Sequence, residues 1–160
     1  MPETIRVSKN FALSEMVKSA TAERLNVDNS PSDIHLVNLT HLAIHILQPV
    51  RDHFAKSVRV TSGYRSEELC EAIGSSKTSQ HAKGEAADFE CSRIGNYTLA
   101  KWISENLEFD QLILEFYEQG KPSSGWVHCS YKNPDENRKQ VLRAYRNDDG
   151  KTVYEPYDPS

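Results

Sequence analysis

The residues best placed to do chemistry lie in one stretch, Ser79-Gln80-His81-Ala82-Lys83-Gly84-Glu85-Ala86-Ala87-Asp88. It sets an imidazole, His81, and a carboxylate, Asp88, seven positions apart. Gly84 and small alanines stand between them, where a chain must turn and pack tightly. The pair reads as two ligands of a metal site. Two ligands do not close a tetrahedral zinc site, so a third must come from elsewhere, together with a carboxylate able to handle protons.

Residues 111–117 and 126–131 read as two strands joined by a polar, Gly- and Pro-bearing segment, hence as a hairpin. If Tyr117 pairs with Trp126, Glu115 falls opposite His128, and directly opposed residues project from one face with Cβ atoms about 5 Å apart. A one-residue slip would turn one of the two away. Taken together, His81, Asp88 and His128 give a two-imidazole, one-carboxylate set whose fourth position stays open, a site of catalytic type. One zinc ion there would bring the pKa of water to about 7 and polarise a scissile carbonyl. Glu115 would take the water's proton and pass it to the leaving amine. Arg65, in the strand-to-helix corner Gly63-Tyr64-Arg65-Ser66, offers a rigid guanidinium fork for a tetrahedral oxyanion or a substrate carboxylate, or else a surface salt bridge. The same trio suits non-haem iron, but oxygenase triads of that kind usually sit in jelly-roll barrels, and the first half of this chain is too helical for one.

These residues need elements to hold them. Ser14 is expected to cap a helix that carries Met16, Val17, Ala20 and Leu25 inward and stops near Asn26, with Phe11 as a staple. Asp33 opens a longer helix with an apolar stripe of Leu36, Leu39, Ala43, Ile46, Leu47, Val50 and Phe54, which Pro49 should kink or interrupt. Within it, His41-Leu42-Ala43-Ile44-His45 has the spacing of a zinc helix, but Leu42 stands where a catalytic glutamate belongs. Both histidines fall largely opposite the stripe and read as solvated, or as groups that support a ligand without being one, and His35 and His53 are equally bland. A strand near Val58 to Ser62 leads to a short helix ended by Gly74. Ala86 to Glu90 reads as a strand with Asp88 on one face and Ala87 and Phe89 on the other. Asn96 is expected to cap a helix with Leu99, Ala100, Ile103 and Leu107 inward. A strand near Val141 to Tyr145, a turn at Asp149-Gly150 and a short strand near Thr152 to Tyr154 follow, and residues 155–160 read as a tail ordered only in part.

The chain has 160 residues with 19 basic and 23 acidic side chains, a net charge of −4, which suits one domain, expected to be a monomer. The charges are dispersed, so neither a nucleic-acid patch nor a polybasic membrane anchor stands out. No apolar run approaches the roughly 20 residues that span a bilayer, and no secretion signal opens the chain, so the expectation is a product made in the cytoplasm. Cys70, Cys91 and Cys129 are odd in number and widely spaced, and read as free thiols.

The pattern Ser79-x-His81-x-x-Gly84-x-Ala86-x-Asp88, preceded by Ser62-Gly63-Tyr64-Arg65-Ser66 and followed by Trp126-Val127-His128, resembles the zinc D-alanyl-D-alanine carboxypeptidase family, which includes phage and bacterial peptidoglycan peptidases. The similarity runs from roughly Phe11 to Tyr131. It implies an α+β fold, a small antiparallel sheet carrying the zinc site and packed against several helices, as in the hedgehog and lysostaphin domains. It also implies that His81, Asp88 and His128 are the metal ligands and that Arg65 orients substrate, with Ser79 holding the metal loop or the substrate and Trp126 beside Arg65 in the cleft. Many relatives place a catalytic acid three residues before the last histidine. Here that position is Gly125, so either Glu115 takes the role or turnover is lost. The resemblance points to a zinc peptidase that acts on peptidoglycan stem peptides, trimming a terminal D-alanine or cutting within the stem or cross-bridge, and phage-encoded or phage-derived in character. A noncatalytic zinc-bearing module that binds cell wall or protein is the alternative.

Overall fold

A computed structural model describes residues 5–159, an α+β arrangement in which one six-stranded sheet is covered by helices on one face. The chain opens with two short strands, β1 (Arg6–Ser8) and β2 (Phe11–Ala12), paired with each other. Two helices follow, α1 (Leu13–Val17) and α2 (Ala20–Leu25), in place of the single helix expected after Ser14. The first starts earlier, where the Glu15 carboxylate accepts from the Ala12 amide at 2.8 Å. The break falls at Ser19, whose hydroxyl accepts from Ala22 N and so offers the backbone a new helix start. Phe11 and Met16 occupy the staple positions of α1, and both are buried in the core.

Helix α3 (Asp33–Leu42) runs through a π turn (Ala43–Leu47) into α4 (Gln48–Phe54). Pro49 therefore does not interrupt the rod. The widened turn directly before it, with Gln48 N bonded to Ala43 O, absorbs the missing donor and the ring's bulk. The expected stripe faces inward: Leu39, Ala43, Ile46, Leu47 and Val50 are fully buried. Burial of each Leu, Ile or Val is worth on the order of 1.5–3 kcal/mol.

The sheet is built from β3 (Val58–Ser62), β4 (Ala86–Cys91), β5 (Gln111–Glu115), β6 (Trp126–Ser130), β7 (Gln140–Arg146) and β8 (Thr152–Pro156). Their order is β3-β4-β6-β5-β7-β8, antiparallel throughout except for the parallel pair β5 and β7. Helix α5 (Glu67–Ala72), capped by Ser66, connects β3 to the loop that carries His81. Helix α6 (Asn96–Asn106) lies between β4 and β5 and buries Leu99, Ala100 and Ile103 as expected. Asn96 is its first residue rather than its cap. Its side chain is buried and donates to Glu90 Oε1 and to the carbonyls of Ser124 and Gly125, which ties the loop before β6 to the helix. Strand alternation sends Ala87, Phe89, Leu112, Leu114, Val127 and Cys129 into the core under the helices. The opposite face is left to Asp88, Ile113, Glu115, His128 and Leu142.

The β5/β6 register differs from the expected one by two residues: Glu115 opposes Trp126, and Ile113 opposes His128. Strand β5 stops sooner because Phe116 turns to φ 56° and sends its amide to Ala144 O on β7. A slip of two preserves the face, so Glu115 and His128 still project together, as diagonal rather than opposed neighbours. At the C-terminal end Glu155 and Pro156 belong to β8, and Tyr157 N bonds Val141 O, so only Ser160 of the expected tail lies outside the described residues. The three cysteines are buried free thiols, and no described helix is long and apolar enough to cross a membrane.

Candidate metal centre

His81 sits in a single 3-10 turn, Gln80–Lys83, whose start is capped by Ser79 Oγ accepting from His81 N. The turn ends at Gly84, φ 74°, where a Cβ would come within 2.6 Å of His35 O. Only glycine allows both that backbone and that approach to α3. His81 Nδ1 lies 2.8 Å from Gly63 O. A carbonyl can only accept, so Nδ1 carries the ring proton and Nε2 turns its lone pair toward Asp88 Oδ2, 3.7 Å away. Asp88 and His128 are register partners on β4 and β6, with His128 Nδ1 2.9 Å from Asp88 Oδ1.

One ligand atom from each of His81, Asp88 and His128 falls within 4.8 Å of the other two. A tetrahedral ion with bonds of 2.0–2.2 Å needs donor separations of about 3.3–3.6 Å, so small side-chain adjustments bring the three onto one ion. Burial works against the charge on Asp88, but the bonds from His128 and His81 more than offset it and hold the carboxyl well below the usual range. The donor set of two imidazoles and one ionised carboxylate fits a divalent metal of zinc type, with His81 oriented through its other nitrogen.

A cavity of about 600 Å³ opens over these three residues and is also lined by Arg65, Ser79 and Glu115. Arg65 Nε is buried with no hydrogen-bond partner among the described residues. Burial first, and then the charge of Asp88, push the pKa of Glu115 up. Trp126 does not line the cavity; it stands opposite Glu115, with its ring 5.3 Å from that of Phe116. Gly125 explains the missing acid. At φ 63°, a Cβ there would lie 1.9 Å from Glu115 O, so no side chain of any kind fits without moving β5.

His41 and His45 are exposed on the long helix, their rings stacked 5.8 Å apart, and they take no part in the centre. His35 bonds the Tyr64 hydroxyl, and His53 stacks on Trp102. Sequence reasoning missed the support beneath the His81 turn. Asp110, fully buried, accepts from Gln80 Nε2 at 2.8 Å and from Arg138 N, Nε and Nη2 at 3.1, 3.0 and 2.8 Å. An acid at the head of the apolar strand Leu112-Ile113-Leu114 was the available signal. Leu142 and Tyr154 also line the cavity, contributed by strands late in the chain.

The family model described as Peptidase M15 matches residues 9–130. No curated protein matches the chain.

Proposed function

The chain belongs to the M15 peptidase family, that of the zinc D-alanyl-D-alanine carboxypeptidases, and from this premise we propose that it is a zinc peptidase cleaving peptidoglycan stem peptides at a D-alanyl bond. The observation that carries the reading is the convergence of His81, Asp88 and His128 on one point, in a cavity that Glu115 and Arg65 share. His81 would hold zinc through Nε2, His128 through Nδ1, and Asp88 through a carboxylate oxygen. Zinc supplies Lewis acidity, polarising a carbonyl and bringing the pKa of water to about 7.

The remaining work falls to the chain's own side chains. Glu115 accepts the proton of the attacking water on its carboxylate and returns it to the leaving amine nitrogen. Its raised pKa matches that double task, since a very weak base would not take the proton and a very strong one would not release it. The Arg65 guanidinium, whose buried Nε has no hydrogen-bond partner among the described residues, binds the substrate's terminal carboxylate, or the oxyanion, and so sets which bond lies over the centre. Ser79 keeps the His81 turn closed.

The zinc-loaded protein incubated with purified muropeptides is expected to release D-alanine or shorter stems, detected by mass spectrometry, and a chelator should abolish the products. Gly125 favours a second reading, a zinc-bearing module that binds wall peptides without cutting them. That reading gains if no wall chemistry yields a product while the peptides still bind.

A further inference from the structure

Tyr154 stands on β8, beyond residues 9–130 of the family match, yet it lines the cavity over His81, Asp88 and Glu115. The sheet explains how it comes to be there. Register sets Trp126, Glu115, Ala144 and Tyr154 side by side across β6, β5, β7 and β8. Adjacent strands are about 4.8 Å apart, so Tyr154 starts about 10 Å from Glu115 with one residue between them. That residue is Ala144, buried and small enough to leave the space above it open. A longer side chain there would fill the gap, and a phenol is long enough to lean across it.

The neighbouring row, Asp88, His128, Ile113, Leu142 and Pro156, is apolar beyond the two ligands. On the β7/β8 side of the cavity, polar chemistry is therefore left to Tyr154. The residue is 55% exposed, and its hydroxyl has no hydrogen-bond partner among the described residues. Burial of part of the ring, and then the charges of Glu115 and Asp88, push its pKa up, which keeps the phenol a donor.

The geometry points to Tyr154 as a catalytic hydrogen-bond donor that contacts the scissile peptide from the β7/β8 hairpin and strengthens its bond as the carbonyl carbon becomes tetrahedral. This rests on the peptidase reading above. It also gives the hairpin outside the family segment a purpose, as a wall of the cleft that carries a reacting-side group.

The test uses the full zinc-loaded chain and Tyr154→Phe, a change that keeps the ring and removes only the hydroxyl. On a defined stem peptide, kcat is expected to fall about 10- to 100-fold with KM within about 3-fold, the mark of a bond made in the transition state. Affinity for a phosphinate mimic of the tetrahedral state, measured by calorimetry, should fall by a similar factor. Zinc content and melting temperature should be unchanged. Wild-type kcat and phosphinate affinity in Tyr154→Phe would overturn the assignment, as would a change confined to KM. A parent protein that cuts no stem peptide overturns the peptidase reading itself, an outcome visible before any variant is made.

Discussion

Asp110, just before strand β5, and Glu115, its last residue, carry carboxylates that meet opposite surroundings. Burial would raise the pKa of Asp110, but bonds from the Arg138 side chain and amide and from Gln80 outweigh it and bring it down to about 2. At the other end, burial and the nearby charge of Asp88 raise the pKa of Glu115, against a weaker pull from His128, Trp126 and Arg65. Trp126 Nε1 and Arg65 Nε are held outside hydrogen-bond geometry, so neither saturates the Glu115 carboxylate. The lesson is that donor count, more than burial, separates a carboxylate that holds structure from one that can move a proton. Asp110 has its acceptor sites filled, while those of Glu115 face a cavity.

The sharpest break in this comparison is Glu115→Gln, which keeps the shape and removes the base. Turnover is expected to fall by about 10²- to 10⁴-fold. Zinc content and melting temperature should hold, because Glu115 is neither a proposed ligand nor part of the core. Glu115 must be ionised to accept a proton, so kcat/KM should decline as pH falls through a pKa above the ordinary glutamate range. That limb should be missing from the residual activity of the variant. Full turnover in Glu115→Gln would remove the residue from the mechanism.

Much of this centre was legible in the sequence because it depends on local chemistry and on parity. His81, Gly84 and Asp88 are specified by turn and strand rules within ten residues, and the face shared by Glu115 and His128 survives any even register slip. The actual register was not legible, since it depends on Phe116 leaving β6 for β7, a contact with a strand almost thirty residues away. The split of the first helix at Ser19, the π turn before Pro49 and the buried Asn96 share that character. Each is decided by where a backbone donor or acceptor finds its partner. Asp110 was missed for the same reason, as Gln80 and Arg138 lie about thirty residues to either side of it.

Asp110→Asn should invert the pattern seen at Glu115. It discards the charge that Arg138 and Gln80 were gathered around, and stability is expected to drop by about 2–3 kcal/mol, or about 5–10 °C in melting temperature. Turnover per folded, zinc-loaded molecule should change little beside Glu115→Gln. Acid unfolding supplies an independent sign. The folded pKa lies below the unfolded value of 3.8, so the stabilising contribution is complete above about pH 4 and is lost as pH falls toward 2. Wild type minus Asp110→Asn, followed by urea melts across that window, should narrow by about 2 kcal/mol. A constant difference would mean that the Asp110 cluster stabilises through packing rather than charge.

Gln80→Ala asks whether the two ends of β5 communicate. Gln80 precedes His81 in the 3-10 turn, and its amide donates to Asp110, so the structural acid holds the turn that presents a proposed ligand. Asp110 keeps its three bonds from Arg138 in the variant, and the expected loss of stability is only about 1 kcal/mol. The turn, however, loses its side-chain tie to Asp110 at the head of β5. Metal affinity, measured by competition with a chromogenic chelator, should weaken by about 3- to 10-fold, near the lower end of what outer groups around a metal contribute. An unchanged affinity alongside that small stability loss would separate the two ends, leaving Ser79 and the Gly63 carbonyl to position His81 by themselves.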